Sequence, residues 1–391
     1  MTENRATFAE INLDSFRHNL HSIKSLIGPD VGTMAIIKAD AYGHGAIQCA
    51  RAATKEQVNY IGVGIIQEAI ELRENGITSP ILILGGIYPN EIEDLIKYNL
   101  STSLSSSVIA SAISKKAEQA NKSVGVHIKI DTGMGRLGIQ PEDFISLLNN
   151  VITCKNLKID GLFTHLSSAD EEDPETTHHQ ISIFSNVLKK LRTTNFSKMI
   201  NENNRILFHS ANTAGLLRFP ESRFDLVRPG ISLFGSFPSP TVASVFDSLT
   251  NENKATKLRP VMNWKTKIIQ IQTLRKGVPV SYGGRYVTKN EGTRIATIPV
   301  GYADGLSRRL SNNMELLVKE TRVKQVGTIC MDMCLIDITN LPDITMGEEV
   351  VIFGTQGKGQ IKVEELATKA DTIPYEILCG VGKRVPRIYI S

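Results

Sequence analysis

Over its first ~235 residues the chain alternates short apolar runs with segments whose apolar residues recur at helical spacing, which points to βα units around a parallel sheet. Eight runs read as strands, near residues 31–38, 60–64, 81–84, 101–104, 124–131, 159–164, 206–209 and 224–228. The fourth is short and serine-rich. Between them, QEAIELRENG stops at Gly76, and PNEIEDLIKYN opens with Pro89 followed by acidic residues. PETTHHQISIFSNVLKKLR ends in the basic residues that a helix C-terminus favours. Eight such units are the pattern of a TIM (β/α)8 barrel. An open doubly wound sheet is the alternative, weakened because no GxGxxG follows the first strand.

The character changes after about Ser236. Residues 236–260 are rich in Ser, Pro, Thr and Asn and read as a linker. Beyond them NWKTKIIQIQTL, TRIATIPVGY, RVKQVGTICM and EEVVIFG are rich in β-branched residues and separated by glycine-containing turns. This predicts a mostly β second domain with one helix, VEELATKA, and a final strand, RIYI. The expected division is 1–240 and 241–391, with residues 1–12 able to pair with the second domain. A chain of 391 residues has room for both.

Composition narrows the class. Hydrophobic residues make up 41% and charged residues 21%, as in soluble globular proteins. The net charge of +4 is small and the basic residues are scattered, which speaks against a nucleic-acid partner. No apolar run approaches the roughly 20 residues of a membrane helix. The opening MTENRATFAEINLDSF lacks the basic-then-apolar pattern of a leader. Cys49, Cys154, Cys330, Cys334 and Cys379 are odd in number and form no CxxC. They indicate neither a disulfide framework nor a metal site, and suit a cytoplasmic location.

The unusual polar residues fall at the C-terminal ends of the candidate strands, where barrel active sites are built. Lys38 closes the run Met34-Ala35-Ile36-Ile37. A lysine there is costly unless it has a task. Partial desolvation lowers its pKa and frees a nucleophilic amine, able to form a Schiff base with an aldehyde cofactor such as pyridoxal phosphate. A lysine that snorkels out of a strand end is an equally open reading of this segment alone. Lys129 and Asp131 end the fifth strand, His165 the sixth, His209 with Asn212 the seventh, and Arg228-Pro229-Gly230 the eighth. A lone strand-end histidine is more often structural, but five such ends on one rim are not. Gly230 and Ile231 offer backbone N–H groups to a phosphate, and Thr213 and Tyr42 offer hydroxyls. The plain alternative for the glycine is a tight turn. Arg228 could face the pyridine nitrogen, where it would donate without protonating it and so favour simple proton exchange. A surface ion pair is the plain alternative.

The motifs AIIKADAYGHG, VHIKIDTGMGRLGI, FTHLSSAD, HSANTAG, DLVRPGISLFG, VSYGGRY, PVGYADG and VGTICMDM resemble, in order, those of the bacterial alanine racemases, from about Phe8 to Ile390. The resemblance implies a barrel that binds pyridoxal 5'-phosphate, followed by a β domain, and interconversion of L- and D-alanine for peptidoglycan. It implies that Lys38 holds the cofactor and acts as one base. Tyr282 would be the second base, reaching the partner's site in a homodimer. From spacing alone, Tyr282 reads as a turn residue before Gly283-Gly284. The resemblance further makes Tyr42, Thr213, Gly230, Ile231 and Tyr375 the phosphate shell, and Asn212 joins the cofactor-binding residues. It sets His165 beside the pyridine ring and Arg228, backed by His209, at its nitrogen. Arg136 and the backbone of Met331, supported by Asp332, would hold the substrate carboxylate. Lys129 stands where many members carry a carbamylated lysine. Tyr302 and Tyr375 resemble the pair that narrows the entrance. Thr213 stands where serine is usual and keeps the hydroxyl. A non-enzymatic pyridoxal-phosphate carrier, a basic amino-acid decarboxylase and a broad-specificity racemase are the competing classes. The second domain speaks against the first, and Arg228 in place of a carboxylate against the second.

Overall fold

The computed structural model describes residues 5–193, 206–252 and 255–391. The first strand, β1 (Phe8–Asn12), does not enter the barrel. It pairs antiparallel with Met262–Lys267 and parallel with Arg387–Ile390, inside the sheet of the second domain. Ala9 and Ile11 point into that domain's core and their neighbours do not, the period-two pattern of a strand with one covered face. Residues 1–4 lie outside the described residues. Asn12 then turns the chain into the helix Leu13–Ile27, its Oδ1 accepting the N–H of Ser15 at 2.8 Å.

The eight expected strands are present and parallel. They are β2 (Gly32–Ile36), β3 (Tyr60–Val63), β4 (Ile81–Ile83), β5 (Ser101–Leu104), β6 (Val124–Lys129), β7 (Leu157–Phe163), β8 (Leu207–His209) and β9 (Leu226–Val227). From β2 to β8 each pairs with the next in sequence, and β9 pairs with β2. The seam between β8 and β9 is closed by two bonds. The N–H of Asp225 donates to Phe208 O, and the N–H of Phe208 donates to Asp225 Oδ2, both at 2.9 Å. Burial along these strands is nearly continuous, as expected where helices cover the outside and side chains fill the inside. The fold is a TIM barrel followed by a mostly β domain. Among the described residues, no helix is long and apolar enough to cross a membrane.

Three expectations are corrected. About half of the stretch expected to be a linker is a helix, Pro240–Asn251. Its Ser and Pro are a start signal: Ser239 Oγ caps the N–H of Val242 and Pro240 takes the first turn, while Val242 and Phe246 bury one face. The second domain holds a second helix, Pro374–Gly380, as well as Val363–Ala370. The run NWKTKIIQIQTL breaks into Met262–Lys267 and Gln270–Leu274, because the chain leaves one row of partners for another at Ile268 and Ile269.

Because β1 is the middle member of a strand triplet, its core side chains tie the chain's start to its end. Ile11→Ala should destabilise the protein by roughly 2–5 kcal/mol. The check is denaturant unfolding followed through the single tryptophan, Trp264, which sits opposite Ala9 in the ladder. An unchanged midpoint would contradict this role of β1.

Candidate active site at the barrel mouth

Past the end of β2 the N–H of Ile37 still bonds Gly62 O at 2.9 Å, and Lys38 follows at once. The next four residues, Ala39, Asp40, Ala41 and Tyr42, all have left-handed backbones, with φ between 51° and 54°. Each such residue costs an L-amino acid about 1–2 kcal/mol, so outside contacts must hold the turn. Glu68 Oε1 accepts the N–H of Ala39 at 2.6 Å, and Asp40 Oδ1 accepts that of Ala46 at 2.7 Å. Arg387 Nε donates to Gly43 O at 3.0 Å. Gly43 has φ 82°, and a Cβ there would lie 2.4 Å from Leu378 O. The second domain therefore presses directly on this turn. Lys38 is left open at the mouth while Tyr42 is buried beneath it.

The mouth is cationic. Arg228 is only 3% exposed and meets no carboxylate among the described residues. Its guanidinium donates to Thr164 O and Ser210 O, each at 2.9 Å. It also donates to His209 Nδ1 at 2.9 Å and His165 Nδ1 at 3.2 Å. An arginine can only donate, so both imidazoles are neutral and carry their proton on Nε2. His209 Nε2 in turn donates to His127 Nδ1 at 2.9 Å. Burial, then the charge of Arg228, holds both His165 and His209 well below the ordinary histidine pKa, and brings His127 down to about 3. His209 is stacked on Phe163, with ring centroids 4.8 Å apart.

Lys129 is buried against the same Phe163 ring, its Nζ 5.5 Å from the centroid. Burial, then Arg136 and Arg228, lowers its pKa to about 8. Burial and then Arg136 also lower the pKa of Lys38. Although water reaches Lys38 through the mouth, protein surrounds the amine closely enough to disfavour its charge. Arg136 stands on a loop that folds back on β6: Asp131 N–H donates to Ile139 O, and Ile139 N–H to Lys129 O, both at 2.9 Å. Four basic side chains converge here, and only Glu68 near Lys38 and Asp131 near Lys129 oppose them among the described residues, so the mouth favours an anionic ligand.

A second group forms beside them. Gly230 N–H donates to Thr213 Oγ1 at 3.0 Å, and Thr213 Oγ1 lies 3.3 Å from Ser232 Oγ. Ile231 opens a short helical turn, and no acceptor among the described residues meets its N–H. Tyr42 and Tyr375 have ring centroids 5.7 Å apart. A Cβ on Gly230 would sit 2.6 Å from the Tyr42 hydroxyl, so only glycine leaves this cradle open. Burial, then Tyr375, holds the Tyr42 hydroxyl protonated, and burial, then Asp170, does the same for Tyr375. Asn212 is committed to structure: its Oδ1 caps Gly215 N–H at 2.9 Å and its Nδ2 donates to Leu166 O at 3.3 Å. A cavity of about 720 Å³ between residues 234–240 and the helix Val363–Ala370 is lined by none of these groups.

Tyr282, Tyr302, Met331 and Asp332 are not joined to this cluster. Within the chain, no hydrogen bond, ring contact or charge interaction links them to Lys38 or Arg228 among the described residues. Tyr282 is 73% exposed, and Tyr302, Met331 and Met333 are exposed as well. Asp332 is paired with Arg384 at 2.8 Å.

The family models for the alanine racemase N-terminal and C-terminal domains match residues 11–238 and 261–389. The chain belongs to the alanine racemase family. An alanine racemase of Halothermothrix orenii is 40% identical over 98% of this chain and 97% of its own length. One from Carboxydothermus hydrogenoformans is 39% identical over 99% and 100%. Among solved structures, an alanine racemase of Clostridium difficile 630 aligns with TM-score 0.89 and 37% identity, covering 100% of this chain and 97% of its own. One from Bacillus anthracis with bound L-Ala-P aligns with TM-score 0.88 and 32% identity, covering 100% and 96%.

Sequence reasoning missed Glu68, Ser232 and His127, which make hydrogen bonds that hold the mouth in shape. Glu68 had a visible signal, as an acidic residue at the third position of a helix, where it reaches back to free N–H groups. His127 sits mid-strand and carries no such mark. The electrostatics can be tested in the cofactor-free protein. Arg136→Met removes the largest charge that depresses Lys38, so its pKa should rise. The pH midpoint for acylation of Lys38, read by mass spectrometry, should move up; an unmoved midpoint would contradict the coupling.

Proposed function

We propose that this protein is a pyridoxal-5'-phosphate-dependent racemase that interconverts L- and D-alanine, acts as a cytoplasmic homodimer and supplies D-alanine for peptidoglycan. Membership of the family supports the reaction. The observation that carries the cofactor reading is the pairing of a pKa-lowered Lys38 with a buried, uncompensated Arg228 and an open glycine cradle. These residues fit the cofactor's three polar features: an aldehyde for Lys38, a ring nitrogen for Arg228, and a phosphate for the cradle.

Ile231 N–H and the hydroxyls of Thr213, Tyr42 and Tyr375 would hold the phosphate, with the Gly230 cradle giving it room. His165 would lie beside the ring and Arg228 would donate to its nitrogen, with His209 and Asn212 keeping the surrounding groups in place. When bound, pyridoxal phosphate supplies the electron withdrawal that makes the substrate's Cα–H acidic. Arg228 has no proton to release at working pH and so keeps that withdrawal modest. Proton exchange is then favoured over reactions that need a longer-lived anion.

Lys38 would hold the cofactor and would move the Cα proton on one face. Tyr282, supplied by a second copy of the chain, moves it on the other. Tyr282's exposure and its lack of any tie to its own chain's Lys38 support this sharing. Arg136 and the backbone of Met331, supported by Asp332, would grip the substrate carboxylate. Tyr302 and Tyr375 would narrow the entrance to a methyl-sized side chain. Lys129, with its pKa near 8, has enough neutral amine to react with carbon dioxide. The resulting anion would orient Arg136.

With cofactor present, the protein should convert either alanine enantiomer to the racemate, and borohydride should leave the cofactor's mass on Lys38. Loaded protein that converts neither enantiomer would refute the activity. Tyr282→Phe should slow Cα-proton removal from one enantiomer by about 100-fold more than from the other. Equal losses would argue against opposed bases.

A further inference from the structure

Ser281, just before Tyr282, has φ 63° and ψ −175°. That backbone region is adopted freely by glycine alone, and a serine stays there only if its surroundings hold it. Two hydroxyls do so. Ser281 Oγ donates to Thr328 O at 2.7 Å, and Thr328 Oγ1 donates to Tyr282 O at 2.8 Å. The Cys330 thiol closes the pattern, 3.5 Å from both Ser281 Oγ and Thr328 O. Gly327 has φ 76°, and a Cβ there would lie 2.8 Å from the Ser281 side chain, so the two segments are in direct contact.

The segment that grips Tyr282 runs straight on to Met331. It is fixed from behind as well. The N–H groups of Tyr302 and Ala303 donate to Cys330 O and Met331 O, each at 3.0 Å. A Cβ on Gly301 would fall 2.3 Å from both carbonyls. The phenol of Tyr282, by contrast, makes no bond within the chain among the described residues. Within its own chain the hydrogen bonds that anchor Tyr282 act on its backbone and that of Ser281.

We propose that Ser281 and Thr328 are positioning residues for Tyr282, locking its strained backbone to the loop that carries Met331. Base and carboxylate anchor then enter the neighbouring subunit's site as one preset unit. This rests on the assignment of Tyr282 as a base. Misplacing such a group by a fraction of its reach is expensive in rate even when folding is untouched.

The test is a double-mutant cycle on the cofactor-loaded enzyme. Thr328→Val keeps the shape and loses the bond to Tyr282 O. It should lower kcat about tenfold in the native background and within about twofold in a Tyr282→Phe background, with KM and thermal midpoint little changed. Thr328→Ser should restore the rate. Ser281→Gly removes the strain and the hydroxyl together, so kcat should fall while the thermal midpoint holds or rises. An undiminished kcat in Thr328→Val, or an equal loss in both backgrounds, overturns the proposal. Tyr282→Phe with native proton exchange from both enantiomers would instead overturn the base assignment itself, which separates the two failures.

Discussion

The guanidinium of Arg228 is buried at the end of the barrel, and no carboxylate among the described residues neutralises it. A buried, unpaired charge is among the most expensive things a fold can hold. Here it is tolerated because its hydrogens are taken up by two carbonyls and two imidazoles. That solution has consequences well beyond Arg228. It fixes the tautomers of His165 and His209, keeps both neutral, and passes order on to His127. It also leaves a positive field across the mouth that lowers the pKa of Lys129 and contributes to lowering that of Lys38.

The left-handed turn after Lys38 is the second such expense, and the two are linked by architecture. The turn is pinned by Glu68 from the barrel and by Arg387 and the Leu378 carbonyl from the second domain. The second domain is in turn fastened to the chain's start through β1. Barrel, turn and second domain therefore share responsibility for aiming one amine. Stability given up at the mouth is recovered in the two sheets and their packed cores, as is usual for strained functional sites.

Much of this was legible in the sequence, for a physical reason. Parallel strands covered on both faces are written as apolar runs, so even the serine-rich strand β5, Ser101–Leu104, stood out by its place in the rhythm. Lys38, His165, His209 and Arg228 were legible because polar residues at strand ends break that pattern. Other features were not. Ser239-Pro240 looks like a linker by composition and is a helix start by position. Nothing in Ala39 to Tyr42 marks a left-handed backbone, since none is glycine; contacts made by distant residues impose it. The structural bonds of Asn212, an expected cofactor residue, are invisible until Gly215 and Leu166 are in place. The histidine relay was legible as residues but not as a network, because which nitrogen accepts depends on the arginine in the folded chain.

The proposed reaction needs Lys38 of one chain and Tyr282 of another. Subunit mixing tests it most directly. Lys38→Ala and Tyr282→Phe homodimers should each be nearly inactive. When the two are dissociated together and allowed to re-pair, mixed dimers carry one intact site and one doubly altered site. Activity should then rise to about a quarter of the native value, the share set by random pairing in a two-fold dimer. Activity that stays at the level of the separate variants would contradict a site shared between chains.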